Sequence, residues 1–135
     1  MHRAVVDTNV FVSALLGSAV TRSLKTALEQ GRFTLVTSDR LLRELIAVLS
    51  RPELSLKADT VAELTALILE RAEVAPPTSK VTDCRDPKDN MVLEAALDGH
   101  ATHLVTGDED LLVLNPFRGV AVVRPAQFLE IIRHG

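Results

Sequence analysis

The feature that most restricts how this 135-residue chain can fold is an alternation of two patterns. Short, continuously apolar, β-branched runs are separated by longer stretches with helical periodicity. Arg3-Ala4-Val5-Val6 is the first such run; Phe33-Thr34-Leu35-Val36-Thr37, His103-Leu104-Val105-Thr106 and Val120-Ala121-Val122-Val123 follow. Runs that are apolar at every position, not every second one, fit strands buried on both faces, which occur in parallel sheets covered by helices. Between them, Val10 to Leu16 and Thr21 to Gln30 read as helices, the second stopped by Gly31. Ser38-Asp39 caps a third, striped by Leu41, Leu42, Leu45, Ile46 and Leu49 and ended by Arg51-Pro52. Ala58 to Ala72 is a long amphipathic helix, and a weak strand is expected at either Val74-Ala75 or Lys80-Val81. Asp86-Pro87-Lys88-Asp89 opens a helix running through Leu97 and closed by Gly99, a short turn or helix spans Asp110 to Leu114, and Pro125 opens the last helix. The pattern predicts one α/β domain over residues 1–135: a parallel sheet of about five strands with helices on both faces.

Composition narrows the function. The formal net charge is −3, which excludes a protein that coats nucleic acid by its overall field. It does not exclude a nuclease, because a carboxylate site counts as negative until its metal arrives. A single cysteine, Cys84, forms no internal disulfide, and four scattered histidines make no zinc pattern with it, so a reducing, cytoplasmic setting is expected. The N-terminal run superficially resembles a signal peptide, but Asp7 and Asn9 interrupt its apolar core, so it reads as the first strand and helix. No uninterrupted apolar stretch is long enough for a membrane span.

The acids carry the chemistry. Two of the clearest strands end in one: Val5-Val6-Asp7 and Leu104-Val105-Thr106-Gly107-Asp108. Ligands of open α/β sheets bind at the carboxyl ends of the strands. Asp89 lies in the first turn of a helix that starts from the same edge. Carboxylates crowded there repel, by about 4 kcal/mol for a pair roughly 4 Å apart at an effective dielectric of about 20, so the cluster calls for a cation. All-oxygen donors select hard ions, which makes Mg²⁺ or Mn²⁺ the expected occupant. Local roles compete with this reading. Asp7 is placed to cap the helix near Val10, Asp86-Pro87 with Asp89 has the spacing of a capping box, and Asp108 and Asp110 suit a turn. Glu44 lies off the apolar stripe of its helix, where a solvated Arg40–Glu44 pair is the simpler account.

Taken together, Val5-Val6-Asp7-Thr8-Asn9-Val10, the Leu41-Leu42-Arg43-Glu44-Leu45 helix, Asp86-Pro87-Lys88-Asp89-Asn90 and Val105-Thr106-Gly107-Asp108-Glu109-Asp110-Leu111-Leu112 follow one another in the order and spacing of the PIN-domain family. The resemblance runs from about residue 3 to residue 130 and is closest to stand-alone prokaryotic members of toxin–antitoxin pairs, of the VapC-like type. It implies a metal-dependent endoribonuclease. By it Asp7, Glu44, Asp89 and Asp108 are the catalytic acids, with the metal on Asp7, Asp89 and Asp108. Asn9, Thr106 and Asp110 support them, and Asp108 and Asp110 compete for the fourth acidic position. It also implies a homodimer silenced by a cognate antitoxin. Arg40, Arg43, Arg85 and Lys88 lie near these acids in sequence, either as phosphate contacts or as ordinary surface cations.

Two other functions compete. An aspartate-based phosphatase would use Asp7 as nucleophile, but the haloacid-dehalogenase pattern wants a second acid where Asn9 stands. A non-catalytic domain that binds RNA or protein would need none of the acids. No phosphate-binding glycine loop or serine-hydrolase elbow is present.

Overall fold

In a computed structural model describing residues 1–134, the chain forms β1 (Arg3–Val6), α1 (Thr8–Leu15), α2 (Ala19–Glu29), β2 (Thr34–Thr37), α3 (Asp39–Leu49), a 3₁₀ turn (Pro52–Leu54), α4 (Ala58–Arg71), β3 (Glu73–Val74), α5 (Pro87–Asp98), β4 (His103–Val105), α6 (Glu109–Leu112), β5 (Ala121–Val123) and α7 (Pro125–Arg133). The five strands are all parallel, in the order β3-β2-β1-β4-β5. The expected α/β architecture is therefore the one the chain adopts. No helix among the described residues is long and apolar enough to cross a membrane.

The sheet feeds two cores because successive side chains leave it on opposite faces. Ala4, Val6, Leu35, Val105 and Val123 point into a layer built by α1, α2, α4, α7 and most of α3. Val5, Val36, Leu104 and Val122 point into a second layer under α5 and α6. Each fully buried Val or Leu contributes about 1.5–3 kcal/mol, which is why the central positions of these strands are apolar and polar residues such as Arg3, Thr34 and His103 stand at their first positions.

Element ends differ from the sequence reading by a residue or two. Helix α2 starts at Ala19, ahead of the periodic stripe, because its first residues are exposed and leave no apolar signal. The weak strand is Glu73–Val74, while Val81 packs into the second core from a loop. The short strand β3 is an edge, half-exposed at Val74; the Ala75 N–H adds one more bond, to the Thr37 carbonyl, before Pro76-Pro77, which lack the N–H groups that continue a ladder.

That loop is tied to α5 by three side chains spaced four residues apart. Asn90 brackets Cys84, accepting its N–H and donating to its carbonyl, both at 2.9 Å. Glu94 accepts from Val81 N–H at 2.8 Å, and Asp98 accepts from the amides of Thr78 and Ser79 and from the Thr78 hydroxyl. The start of α5 is thereby fixed against the sheet's C-terminal edge.

Gly99, just past α5, lies against β2. A Cβ there would fall 2.1 Å from Cγ1 of Val36, a core residue that is only 1% exposed. Gly99→Ala is expected to cost about 1–3 kcal/mol by overpacking, read as a lower thermal midpoint. Adding Val36→Ala is expected to bring the double variant above the sum of the two single losses.

Candidate metal centre

The centre is assembled where β1 and β4 end side by side. Val6 pairs with Val105, and the Asp7 N–H donates to the Val105 carbonyl at 2.9 Å, so the chain leaves both strands at one point. Thr106, wholly buried, joins the two exits. Its hydroxyl donates to Oδ2 of Asp7 at 2.8 Å and accepts the Asp108 N–H at 3.0 Å. Asp7 occupies the cap position of α1, but its carboxylate closes no capping hydrogen bond; Thr106 holds it instead. Burial pushes the Asp7 carboxyl above the ordinary range and the Asp108 charge adds to this, while the Thr106 hydroxyl and nearby Asn9 and Thr8 amides oppose it.

Asp89 reaches the same rim from the first turn of α5. The capping box anticipated there does not form. Asp86 caps the helix, accepting from Lys88 N–H at 2.9 Å, whereas the shorter-than-Glu side chain of Asp89 does not turn back toward it. Among the described residues the Asp89 carboxylate accepts no hydrogen bond. Its pKa is raised to about 6, first by burial and then by the charges of Asp108, Asp86, Asp7 and Asp110. Asp108 caps α6 through the Asp110 N–H at 2.9 Å, so its capping and clustering roles coexist.

One carboxylate oxygen from each of Asp89, Asp108 and Asp110 lies within 4.8 Å of the others. Oxygens on opposite sides of a Mg²⁺ ion are about 4.2 Å apart, so a small side-chain rotation closes the trio on an ion. An all-carboxylate donor set with one member unpaired and half-buried fits a hard divalent cation. The trio includes Asp110, read from sequence as a support, and leaves Asp7 just outside. Asp7 shares a cavity of about 370 Å³ with Asn9, Ser13, Thr21 and Asp108, while Asp89 and Asp110 line one of about 540 Å³ with Cys84 and Arg85. Asp108 stands between the two.

Glu44 faces this centre from α3: the Thr8 hydroxyl donates to its Oε2 at 3.4 Å, one residue from Asp7. The Arg40–Glu44 pair does not form, because Arg40 reaches Glu94 on α5 at 3.5 Å. Of the cations, Arg85 lines the Asp89 cavity, and Arg43 and Lys88 are exposed with no acidic partner among the described residues. The loop-holding side chains Asn90, Glu94 and Asp98, and the cavity-lining Ser13 and Thr21, were not singled out in the sequence; the four-residue spacing on α5 was the available signal.

Fold and site first define a class: a parallel α/β domain that gathers carboxylates at the C-terminal edge of its sheet, an arrangement suited to a divalent cation and a phosphate. The PIN-domain family model matches residues 3–110, a span that contains Asp7, Glu44, Asp89, Asp108 and Asp110, and the chain belongs to that family. PIN domains are generally nucleases and typically bind divalent metals. An uncharacterized protein of Methanocaldococcus jannaschii, MJ1680, is 25% identical over 116 residues, which cover 83% of this chain and 74% of the archaeal one.

The crowding has a signed consequence for stability. A carboxyl whose pKa is raised on folding favours the folded state while protonated. The metal-free protein therefore loses this contribution as pH rises from about 4 through about 6. Asp89→Asn is expected to flatten that loss and to stabilise the metal-free protein at pH 7. Solvent reaches the group, so screening brings the expected gain to about 1 kcal/mol, read as a small rise in thermal midpoint. Thr106→Val removes both bonds of a buried hydroxyl; a stability cost of about 1–3 kcal/mol is expected, read as a lower thermal midpoint.

Proposed function

We propose that this protein is a Mg²⁺- or Mn²⁺-dependent endoribonuclease that hydrolyses RNA phosphodiester bonds at the acidic rim. The observation that carries the reading is the convergence of Asp89, Asp108 and Asp110 on one point, none of them ion-paired with a Lys or Arg among the described residues. Those three side chains would hold the ion. A divalent ion bound there would supply Lewis acidity toward water and positive charge beside the phosphodiester under attack. Asp7, with one oxygen engaged by Thr106 and its carboxyl raised by burial, is suited to orient the attacking water and take its proton. Glu44 and Asn9 flank that position, and Arg85 lines the Asp89 cavity, where a guanidinium can meet a substrate phosphate.

The resemblance to stand-alone toxin members supports the rest of the proposal: a toxin acting on cellular RNA in the cytoplasm, as a homodimer, restrained by a cognate antitoxin. The preference for RNA over DNA rests on the same resemblance.

The test is cleavage of single-stranded RNA with Mn²⁺ present. Asp7→Asn and Asp89→Asn are each expected to lower the rate at least about a hundredfold, about 2.7 kcal/mol of transition-state stabilisation, and a chelator is expected to abolish it. Thermal midpoint is expected to rise with Mn²⁺ in the parent and not in Asp89→Asn. Metal-independent cleavage, or full activity in Asp89→Asn, would overturn the reading. Turnover of small phosphomonoesters with a covalent label on Asp7 would replace it by a phosphatase.

A further inference from the structure

We propose that the groove between α2 and α7 is a docking track for the phosphodiester backbone of a single-stranded RNA whose scissile bond lies at the acidic rim; the track deepens the nuclease reading and rests on it. Both helices start at the C-terminal edge of the sheet, and both touch the catalytic region there: Thr21 and Pro125 line the cavity that holds Asp7. Beside them, Arg22, the residue after Thr21 on α2, and Leu129, one turn beyond Pro125 on α7, line a groove of about 610 Å³ that reaches Arg32 and Arg133. Along α2 that is a path of about 15 Å leading away from the acids.

Charge decides what the groove fits. The whole chain carries −3, yet no acidic side chain lines this groove and three arginines do. Arg3, Arg40, Arg118 and Arg124 are each paired with a carboxylate, and the arginines outside the groove that are not, such as Arg43 and Arg51, do not share one groove with two others. Arg22 and Arg32 have no acidic partner among the described residues, and Arg133 lies 3.4 Å from an exposed Glu130, a weak contact that a phosphate can displace. Helices packed about 8–10 Å apart leave a furrow too narrow for a duplex. Its floor of Ala27, Leu129 and Ile132 offers apolar surface to riboses and no aromatic ring for stacking, which fits a backbone track with little base preference.

The experiment uses the cleavage-blocked Asp89→Asn protein and a fluorescein-labelled single-stranded RNA of about 12 nucleotides, without divalent ions. Adding Arg22→Gln and Arg32→Gln is expected to weaken binding about tenfold at low salt and to shrink the slope of log affinity against log salt by about 1.4, the loss of two single-strand phosphate contacts. Arg51→Gln with Lys57→Gln, on the far side of the same helical layer, is expected to change neither. An unchanged affinity and salt slope would overturn the track even if the parent cleaves RNA normally. Track-dependent binding by a parent that never cleaves would support the track and overturn the catalytic reading. Loss of a dimer in the double variant with RNA affinity intact would assign the groove to a second copy and overturn the proposal.

Discussion

The register of β1 on β4 is the constraint from which the rest of the site follows. Val6 opposite Val105 places Asp7 and Thr106 as the next residues out of the sheet, and the Asp7 N–H continues the ladder by one bond before the chain turns away. Because the strands are parallel, both exits fall on one edge. A slip of one residue would exchange the two faces of β4, sending Leu104 and Val105 into the wrong cores and the Thr106 hydroxyl away from Asp7. The packing that fixes the hydrophobic side chains thus also fixes the polar ones. Thr106 is wholly buried, and its hydroxyl finds its partners in the Asp7 carboxylate and the Asp108 amide.

The rim so built is electrostatically tense. Asp89 has neither a hydrogen bond nor an ion pair among the described residues, and four other acids act on it. The tension can be relieved by a proton, which raises the pKa, or by a cation. A fold stable enough to hold like charges together without either has been shaped by something other than its own stability. An ion bound among these carboxylates would couple to folding, as in any site whose ligands repel until the ion arrives.

Much of this was legible in the chain before folding. The strands announced themselves because they are buried on both sides, and Asp7 and Asp108 could be placed because parallel strands share an exit edge. Glu44 was not legible from periodicity. It lies off the stripe of α3, and its position near Thr8 comes from the packing of α3 on α1, which a helical wheel does not contain. Asp89 matched a cap by spacing, yet its side chain is too short to turn back, and only the folded backbone shows it aimed at the other acids. Asp108 and Asp110 compete in the sequence for the fourth acidic position; the folded chain brings both beside Asp89, Asp108 while also capping α6. The polar row on α5 shows in the sequence only as a four-residue spacing, without the loop it holds, and the cationic groove joins α2 and α7, distant in sequence, so no local pattern marks it.

The two-residue β3 and the prolines after it have a bearing on how such molecules behave in company. A longer, flatter margin at that side would invite a neighbouring extended chain to zip on and propagate. With so few free amides and carbonyls, and Pro76-Pro77 breaking the row, that margin is a poor template. Strand-on-strand growth from this border is therefore disfavoured, and the other margin of the sheet, β5, is itself only three residues long.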